Sequence, residues 1–496
     1  MKPRLLARLV KLHEKNQYYE IVETIQDIPA ENWDYELVNH LARAYNNLEN
    51  YESAVQLLLS VAAEGCEDPL WHYRLGYSYY YLDQLEESKS EFEEVLKLNP
   101  DDEDAQNFLS HCQKELAIQT HLQRTAERAI PYSELTFEKS FTARVDEFWQ
   151  WFSENEEKLA DIVTNTNNYD RDDIVEFIAE GTNLLAEDVH FNIGGEFEFT
   201  FAVDDDNYLF YLYPYIIARM PLRFRDKWHF SPYLSGAKGK GFTFEMHGAR
   251  INLDEVKVFA DYDADSGKFT LYFYDDTLCS LEDAEAHNIF HLLVELSIGE
   301  ALANVYVAEV ERLESPRQDM YSLTDLDDKI RETITASGED LINDPSELYV
   351  AYEFDPIDSE IPRHDIITGV THYLDLINDY YFDTYTNADG LEKYGAKPVF
   401  LFFPTYMEAD YGLVDLRYDL EELIENKIIG TKGSGEELGL LLGGATGTIY
   451  SYIDLLLYDE AKFLAKFKEI LVLYPHTFYF AEFRQQGKLV KLTGEI

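Results

Sequence analysis

Two histidines and a glutamate are spaced so that a single helix would carry all three on one face. His287, His291 and Glu295 follow one another at intervals of four residues, and residues four apart share a helix face. Two imidazoles and a carboxylate can hold zinc with an open coordination position. The metalloprotease motif also requires Glu after its first His, where this chain has Asn288. The apolar residues around them favour a packed helix, and a metal-dependent enzyme stays open as an alternative.

An alternating run of aspartates has part of the composition of a calcium-binding loop. Asp261, Asp263 and Asp265 are followed by Ser266 and Gly267. A calcium-binding loop needs Gly at its sixth position and Glu at its twelfth, and this chain has Ser and Tyr there. Strand-like residues flank the run on both sides, so the aspartates predict a hairpin turn.

Two further patterns also favour structural roles. Glu196 and Glu198 would share one face of a strand, which could supply an acid and a base but is typical of a solvated strand face. The glycines of the C-terminal part are Gly430, Gly433, Gly435, Gly443, Gly444 and Gly447. Their spacing lacks the Gly-Lys-Ser/Thr ending of a phosphate-binding loop, so tight turns and close packing are favoured. We therefore predict no catalytic residues, no metal and no cofactor, and a protein that is not an enzyme.

A dense aromatic cluster, Phe148, Trp149, Trp151 and Phe152, lies in a segment with helical periodicity. Phe148 and Phe152 are four residues apart and share a face. Packing in a core is the favoured interpretation, and an exposed anchor for a partner is the alternative.

The same pattern of small, aliphatic and aromatic residues occurs twice in the N-terminal part, 34 residues apart. The first copy is Leu41, Ala42, Tyr45, Leu48, Tyr51, Ala54 and Leu58, and the second is Leu75, Gly76, Tyr79, Leu82, Leu85, Ser88 and Phe92, closed by Pro100. A period of this length indicates stacked helical hairpins. We expect a degenerate first copy at 1–34, clear copies at 35–68 and 69–102, and a helix from about Asp104 to Ala129 that covers the end of the stack.

These copies resemble the tetratricopeptide repeat (TPR) family, over roughly the first quarter of the chain. His72 fills the usual aromatic position, Cys66 stands where Pro is expected, and Ser88 replaces the usual Ala. The resemblance implies that the first helix of each repeat lines a concave binding face. The lining positions would be Asn39, Arg43, Asn46, Tyr73, Tyr77 and Tyr80, with Arg74 and Tyr81 beside them.

Arginine and tyrosine at such a groove suit the binding of a peptide. Arg43 and Arg74 could grip a carboxylate bidentately, and tyrosines give rigid contact area. The resemblance reproduces part of the carboxylate-gripping arrangement of some family members. An equally open interpretation is that these residues only cap and solvate a helix surface, or that they dock the second domain.

The charge of the chain excludes several classes of partner. The sequence has 95 acidic and 41 basic residues, a formal net charge of −54. Such a field repels nucleic acid and anionic membranes, and there is no apolar run long enough to span a bilayer. Three widely separated cysteines imply no disulfide framework. We expect a cytoplasmic protein, bacterial in style, that binds a protein or peptide, with its oligomeric state left open.

The part of the sequence that follows the helical repeats predicts two α+β domains. We expect a multidomain fold: TPR-like helical repeats over 1–130, an α+β domain over 132–315, and a second over 316–496 that includes the glycine-rich segment, both with mainly antiparallel sheets. FEFTF, YLFYLYPYIIA, KVFADY and KFTLYFY read as strands of the first α+β domain, closed by a helix at about 281–305. In the second we expect helices near 323–334, 364–378 and 460–473, and strands at LYVAYEF, KPVFLFFPTY, TFYFAEF and KLVKL.

Both regions weakly resemble α+β domains of bacterial proteins of unknown function, some of them immunity-like. The residues that carry this resemblance include the Gly299-Glu300 pair and Tyr450, Tyr452 and Asp454. The favoured function is a non-enzymatic protein that binds a peptide or protein through the TPR groove. An acidic partner that neutralises a basic toxin is the alternative from this resemblance.

Overall fold

The computed structural model describes residues 2–204, 206–246, 248–405, 415–474 and 477–492. Within it the chain forms two compact units, Met1–Glu127 and Arg128–Ile496. The first is helical and the second is built on sheets. The division lies close to the expected end of the helical repeats at residue 130.

The helical unit consists of antiparallel hairpins. Its helices are α1 (Lys2–Glu14), α2 (Tyr18–Gln26), α3 (Tyr35–Asn47), α4 (Tyr51–Ser60), α5 (Ala62–Gly65), α6 (Pro69–Tyr81), α7 (Leu85–Leu98) and α8 (Glu103–Arg128). Side-chain caps fix where several of them begin: Asp34 accepts from the backbone N–H of Leu37, and Asp68 accepts from that of Leu70. Pro69 follows at the first position of α6, where its missing N–H costs nothing.

Small residues allow the helices of each hairpin to cross closely. A Cβ atom added at Gly76 would lie 3.2 Å from the ring of Phe92 on the facing helix, and the Ser88 hydroxyl donates to the Gly76 carbonyl at 2.9 Å. Ala42 and Ala54 are fully buried at the matching crossing of α3 and α4. The repeat pattern predicted this packing, and the helical N-terminal architecture is confirmed.

The second unit contains short and long strands joined by helices. Its strands are β1 (Ile130–Pro131), β2 (Phe191–Gly194), β3 (Glu198–Phe201), β4 (His229–Ser231), β5 (Thr243–Met246), β6 (Ala249–Asn252), β7 (Lys257–Asp263), β8 (Lys268–Tyr274), β9 (Val307–Arg312), β10 (Tyr321–Ser322), β11 (Val350–Glu353), β12 (Ile366–Thr371), β13 (Lys397–Pro404), β14 (Gly439–Gly447), β15 (Tyr450–Leu457), β16 (Phe478–Glu482) and β17 (Leu489–Leu492). Its helices are α9 (Phe141–Thr164), α10 (Arg171–Thr182), α11 (Tyr213–Ala218), α12 (Asp283–Ile298), α13 (Glu300–Tyr306), α14 (Leu326–Ser337), α15 (Leu374–Phe382), α16 (Thr386–Lys393), α17 (Asp415–Leu423) and α18 (Glu460–Leu471).

Within the described residues, the main sheet has eight strands in the order β1-β17-β16-β13-β15-β14-β12-β11. Its pairs are antiparallel except β1 with β17. Every residue of β15 is buried, as expected for a central strand covered on both faces. Helix α18 and the π-helical turn Ile424–Ile429 contribute to the core on one face.

A second core forms around the sheet β10-β7-β8-β9. Helices α12 and α14 pack their apolar faces on it, with Phe273 and Phe290 stacked at 4.0 Å between ring centroids. The β7–β8 hairpin and its turn confirm the interpretation of the aspartate run, with Gly267 at φ +69°. The boundary expected at 315/316 stays a prediction; strand β10 and helix α14, beyond it in sequence, belong to this core.

Three expectations about single elements were wrong. YLFYLYPYIIA is a 3-10 turn, Asn207–Tyr211, followed by α11, because its apolar residues are buried on all sides and Pro214 suits the first turn of a helix. The helix expected near 364–378 is strand β12 and then α15, since the β-branched residues of β12 fit between β11 and β14. The closing helix breaks at Gly299, which has φ +91°. Tyr406, the last residue of the strand expected at KPVFLFFPTY, lies outside the described residues.

Candidate functional site

Arg43 on α3 is exposed and carries a guanidinium with no partner among the described residues. Its backbone carbonyl accepts from Asn47 within the same helix, and nothing described pairs with its side chain. The sequence has 95 acidic residues, yet none of the described ones forms an ion pair with Arg43. This guanidinium is therefore available to an anion from outside.

Arg74 on α6 lies next to it and is held in place. Its Nη1 donates to the Asn39 side-chain oxygen at 2.7 Å. Burial, followed by the nearby charge of Arg43, lowers the pKa of Arg74 from its ordinary value, although a guanidinium stays protonated at any physiological pH. Two guanidinium groups thus lie close together on adjacent repeats.

The structure places the two predicted asparagines between α3 and α6. Asn39 and Asn46 are only 7 % and 6 % exposed. Asn46 donates to the Arg74 carbonyl at 3.0 Å and accepts from the Ser78 hydroxyl at 2.7 Å. These bonds satisfy the two amides and fix the rotation of one helix against the other, so they support Arg74 in position.

Two histidines that the sequence analysis did not select complete a basic cluster. His13 on α1 stacks on His40 on α3 with 5.3 Å between ring centroids. His13 is 5 % exposed, and neither of its ring nitrogens has a hydrogen-bond partner in the described structure. Burial, then the charges of Arg43, His40 and Arg74, lower the pKa of His13 to about 4. We call His13, His40, Arg43 and Arg74 the basic cluster.

The sequence of the first repeat indicates where His13 lies. The first repeat is out of phase with the two clear copies by one residue, and once that shift is applied, His13 aligns with Asn46. Asn46 is one of the lining positions, so the shifted alignment brings His13 to the same face of the stack. Because the first repeat is degenerate, the spacing of the two clear copies does not predict this position.

Three of the four predicted tyrosines are half-buried against the end of the stack. Tyr73, Tyr77 and Tyr80 contact Phe108 of α8 with ring centroids 6.1, 5.6 and 5.1 Å away. They pack against the core between α6, α7 and α8, and burial raises the pKa of Tyr73 to about 12. These three side chains are half-buried and stabilise the end of the stack.

Tyr81 differs from the other three tyrosines. It is 49 % exposed and stacks on Tyr51 of α4 at 5.0 Å between centroids. A pair of stacked rings gives a rigid, half-apolar surface. Of the predicted tyrosines, Tyr81 is thus the one that presents most of its ring to solvent.

Lowering the pH from about 7 to about 5 is expected to destabilise the helical unit through His13. The unfolded chain titrates near its ordinary pKa of about 6.5, and the folded His13 near 4, so the unfolded state takes up the proton first. The free energy of unfolding therefore falls as the pH falls between these values, by about 2 kcal/mol at about pH 5.

The measurement compares the melting temperatures of the wild type and His13→Phe, followed by circular dichroism, at both pH values. Because the variant lacks the titrating ring, it should lose less melting temperature on acidification than the wild type. Equal losses in the two proteins would contradict the assignment.

The other sequence-derived candidates have structural surroundings. His287 lies within 2.7 Å of the Asp283 carbonyl and packs edge-on to Phe273, while His291 and Glu295 border a cavity. Throughout the described ranges, no group of three or more His, Cys, Asp and Glu side chains is arranged to hold a metal ion. Hence the structure does not assemble His287, His291 and Glu295 into such a group.

The acidic pair, the glycines and the aromatic cluster have clear structural positions. Glu196 lies in the turn before β3, so it does not share a strand face with Glu198 as expected. Gly443, Gly444 and Gly447 belong to strand β14. The aromatic cluster confirms core packing for three members: Phe148, Trp149 and Phe152 are at most 3 % exposed.

Comparisons with known proteins identify part of the helical unit. A family model described as tetratricopeptide repeat matches residues 69–102. Two solved structures are similar to the chain: "First TPR of Spaghetti (RPAP3) bound to HSP90 peptide SRMEEVD" and "NMR structure of the first TPR domain of the human RPAP3 protein". Each is 25 % identical with a TM-score of 0.22, and the match covers 23 % of this chain and 90 % of the other. No curated protein matches the chain.

The chain thus contains a TPR segment followed by a sheet-rich region. TPR segments are protein-interaction modules built from stacked helical hairpins. Among the described residues, no helix combines the length and the apolar character that crossing a membrane requires.

Proposed function

We propose that this protein binds an acidic segment of another protein at the basic cluster of its helical unit, and that it acts by binding rather than by catalysis. The observation that supports this most is the exposed guanidinium of Arg43, which has no partner among the described residues and lies beside Arg74 in a chain whose net charge is −54. The TPR match at 69–102 supports a protein or peptide as the ligand.

The cluster suits a carboxylate because its donors come from adjacent helices. Arg43 offers a planar fork of N–H donors that fits both oxygens of a carboxylate. Arg74 adds a second positive charge from α6 and is oriented by Asn39. Since folding already fixes Arg74, the ligand loses less affinity to side-chain ordering than it would with two mobile arginines.

The rest of the chain opposes an acidic ligand at long range. Its negative field slows the approach of an acidic peptide, and salt screens that field beyond about 8–10 Å at moderate ionic strength. Charge-assisted hydrogen bonds act at contact distance, where each contributes about 1.5–3 kcal/mol. Specificity for an acidic segment thus depends on contacts within the basic cluster.

The test is selection of peptides with free C-termini from a random library on the intact protein at moderate salt. We expect the wild type to enrich peptides rich in Asp and Glu, and Arg43→Ala to lose that enrichment. Lys114→Ala, which removes one exposed positive charge from α8, is the control and should keep it. Enrichment of basic peptides, or the same acidic peptides with Arg43→Ala, would reject the proposal.

A further inference from the structure

A cavity of about 640 Å³ opens within the sheet-rich unit. It lies where the 3-10 turn Asn207–Tyr211, helices α12 and α13, strand β11 and the start of α15 converge. This volume is within the range of small-molecule sites, about 300–1,000 Å³. The proposed peptide binding does not use this cavity, so a ligand bound here would be independent of the basic cluster.

One side of the cavity is a rigid pair of aromatic rings. Tyr211 and Tyr373 stack with 4.2 Å between centroids and are 7 % and 3 % exposed. Tyr211 donates to the His372 carbonyl at 2.5 Å, and Tyr373 donates to the Asn387 side-chain oxygen at 2.6 Å. Because both hydroxyls are engaged, the rings are fixed before any ligand arrives.

The charges around the cavity are mostly negative. Asp204, Glu295 and Asp375 line it, and Lys268 is the one lysine or arginine among its described lining residues. Asp204 also contacts the Nδ1 of His190, an exposed histidine outside this lining. Burial and the nearby Asp379 raise the pKa of Asp375 above its ordinary value, whereas Lys268 lowers it. The negative charge at Asp375 is therefore only partly compensated by the protein.

A fourth carboxylate at the cavity, Glu300, already has its partners. Glu300 is 3 % exposed, and its two oxygens accept from the backbone N–H groups of Val203, Asp204 and Leu234 at 2.7–3.0 Å. It ties α13 to two loops beside the cavity. We therefore assign Glu300 to the framework and not to ligand binding.

His372 also lines the cavity. Its Nδ1 lies 3.0 Å from the Leu348 carbonyl, and because a carbonyl oxygen only accepts, this nitrogen carries a proton. Burial, the largest cause, lowers the pKa of His372, which agrees with a neutral ring. The lining is thus rich in acceptors and poor in charged donors.

The carboxylates are spread around the cavity and not gathered at one point. Within the described residues, no group of three or more His, Cys, Asp and Glu is arranged to hold a metal ion. Separated carboxylates beside an aromatic wall match a ligand with several separated positive charges on an apolar chain.

We propose that this cavity binds an organic cation with two or more alkylammonium groups, such as a linear polyamine. The ammonium groups contact the carboxylates of Asp204 and Asp375, and the methylene chain lies against Tyr211 and Tyr373, where aromatic rings also favour a cation. A lysine side chain of a partner protein offers the same ammonium chemistry, so both sources belong in the test.

The test is isothermal titration calorimetry of the intact protein with spermidine at near-physiological salt. We expect saturable binding, weakened about 10-fold or more by Asp375→Asn, a loss of at least the 1.4 kcal/mol that such a factor represents. Asp375 makes no described hydrogen bond, so the fold should persist. Asp173→Asn on α10 removes the same charge from an exposed site elsewhere and should bind as the wild type does.

A second variant separates the cavity from the general acidity of the chain. Ala303→Trp keeps every charge but fills part of the cavity from α13, and it should also weaken the binding of spermidine.

A capped peptide with one lysine, titrated in competition with spermidine, shows whether a protein side chain can supply the ammonium group. Displacement of spermidine supports that source, and no displacement supports a free polyamine. Equal spermidine binding by the wild type, Asp375→Asn and Ala303→Trp, or no binding by the wild type, would overturn the proposal.

Discussion

Asp454→Ala is expected to lower the stability of the main sheet by about 3–5 kcal/mol, the range for removing one partner of a buried ion pair. Arg363 and Asp454 are both fully buried, with 0 % side-chain exposure. The guanidinium donates to both carboxylate oxygens of Asp454, at 3.2 Å from Nη2, and also to the Tyr352 hydroxyl at 3.0 Å. Without Asp454 the guanidinium remains buried and has lost its counter-charge.

The surroundings of Arg363 leave it little room to reach water. Its guanidinium carbon lies 4.7–5.8 Å from the centroids of four aromatic rings. The backbone of Arg363 has φ +70°, a conformation that few non-glycine residues adopt, so the chain is bent to point this side chain inward. The opposing charge on the central strand β15 then compensates for it.

The measurement is hydrogen exchange of the amides of β14 and β15 in the intact protein. Asp319→Ala is the control, because Asp319 pairs with Arg317 at the surface, where both side chains are about half exposed, and such pairs contribute about 1 kcal/mol or less. The double change Arg363→Met with Asp454→Leu should recover most of the lost protection, since it removes both charges. If Asp454→Ala lowers the free energy of unfolding by less than about 1 kcal/mol, this account is contradicted.

Arg43→Ala is expected to weaken binding of a selected acidic peptide by about 10- to 100-fold. A charge-assisted hydrogen bond to a carboxylate contributes about 1.5–3 kcal/mol, and Arg43 is the exposed member of the basic cluster. Because its side chain has no partner among the described residues, its removal should leave the helical fold unchanged. Calorimetric titration together with the melting temperature separates lost affinity from lost structure.

Two related variants refine that expectation. Arg43→Lys keeps the charge but loses the planar fork, so its affinity should lie between those of the wild type and Arg43→Ala. Arg74→Ala should weaken binding and also lower the melting temperature, because Arg74 donates to Asn39 between the helices. If Arg43→Ala binds as tightly as Lys114→Ala, the basic cluster does not hold the ligand.

The helical repeats could be predicted because their signal is local and periodic. Ala42 and Gly76 lie at positions where two helices were predicted to cross and where a small residue is required. The structure confirms both crossings. The repeat pattern did not predict that Tyr73 and Tyr77 are half-buried. The ring that covers them, Phe108, belongs to α8, outside the repeated copies, so no spacing within the repeat indicated it.

The sheet-rich unit shows where local patterns stop being informative. The β7–β8 hairpin was predicted because its turn residues and its alternation lie within one short segment. The segment Asn207–Ala218 was not, since an unbroken apolar run fits a buried strand or a buried helix equally well. Arg363 and Asp454 are 91 residues apart, and their pairing depends on strand order that no local pattern specifies.

The central claim, that a carboxylate is bound at Arg43, is tested most directly by a double-mutant cycle. A selected acidic peptide and versions with single carboxylates replaced by amides are titrated into the wild type and into Arg43→Ala. We predict that one replacement costs the wild type about 10-fold or more in affinity and costs Arg43→Ala almost nothing, because the two changes remove the same contact. If every replacement weakens both proteins equally, no peptide carboxylate is bound by Arg43 and the account is wrong.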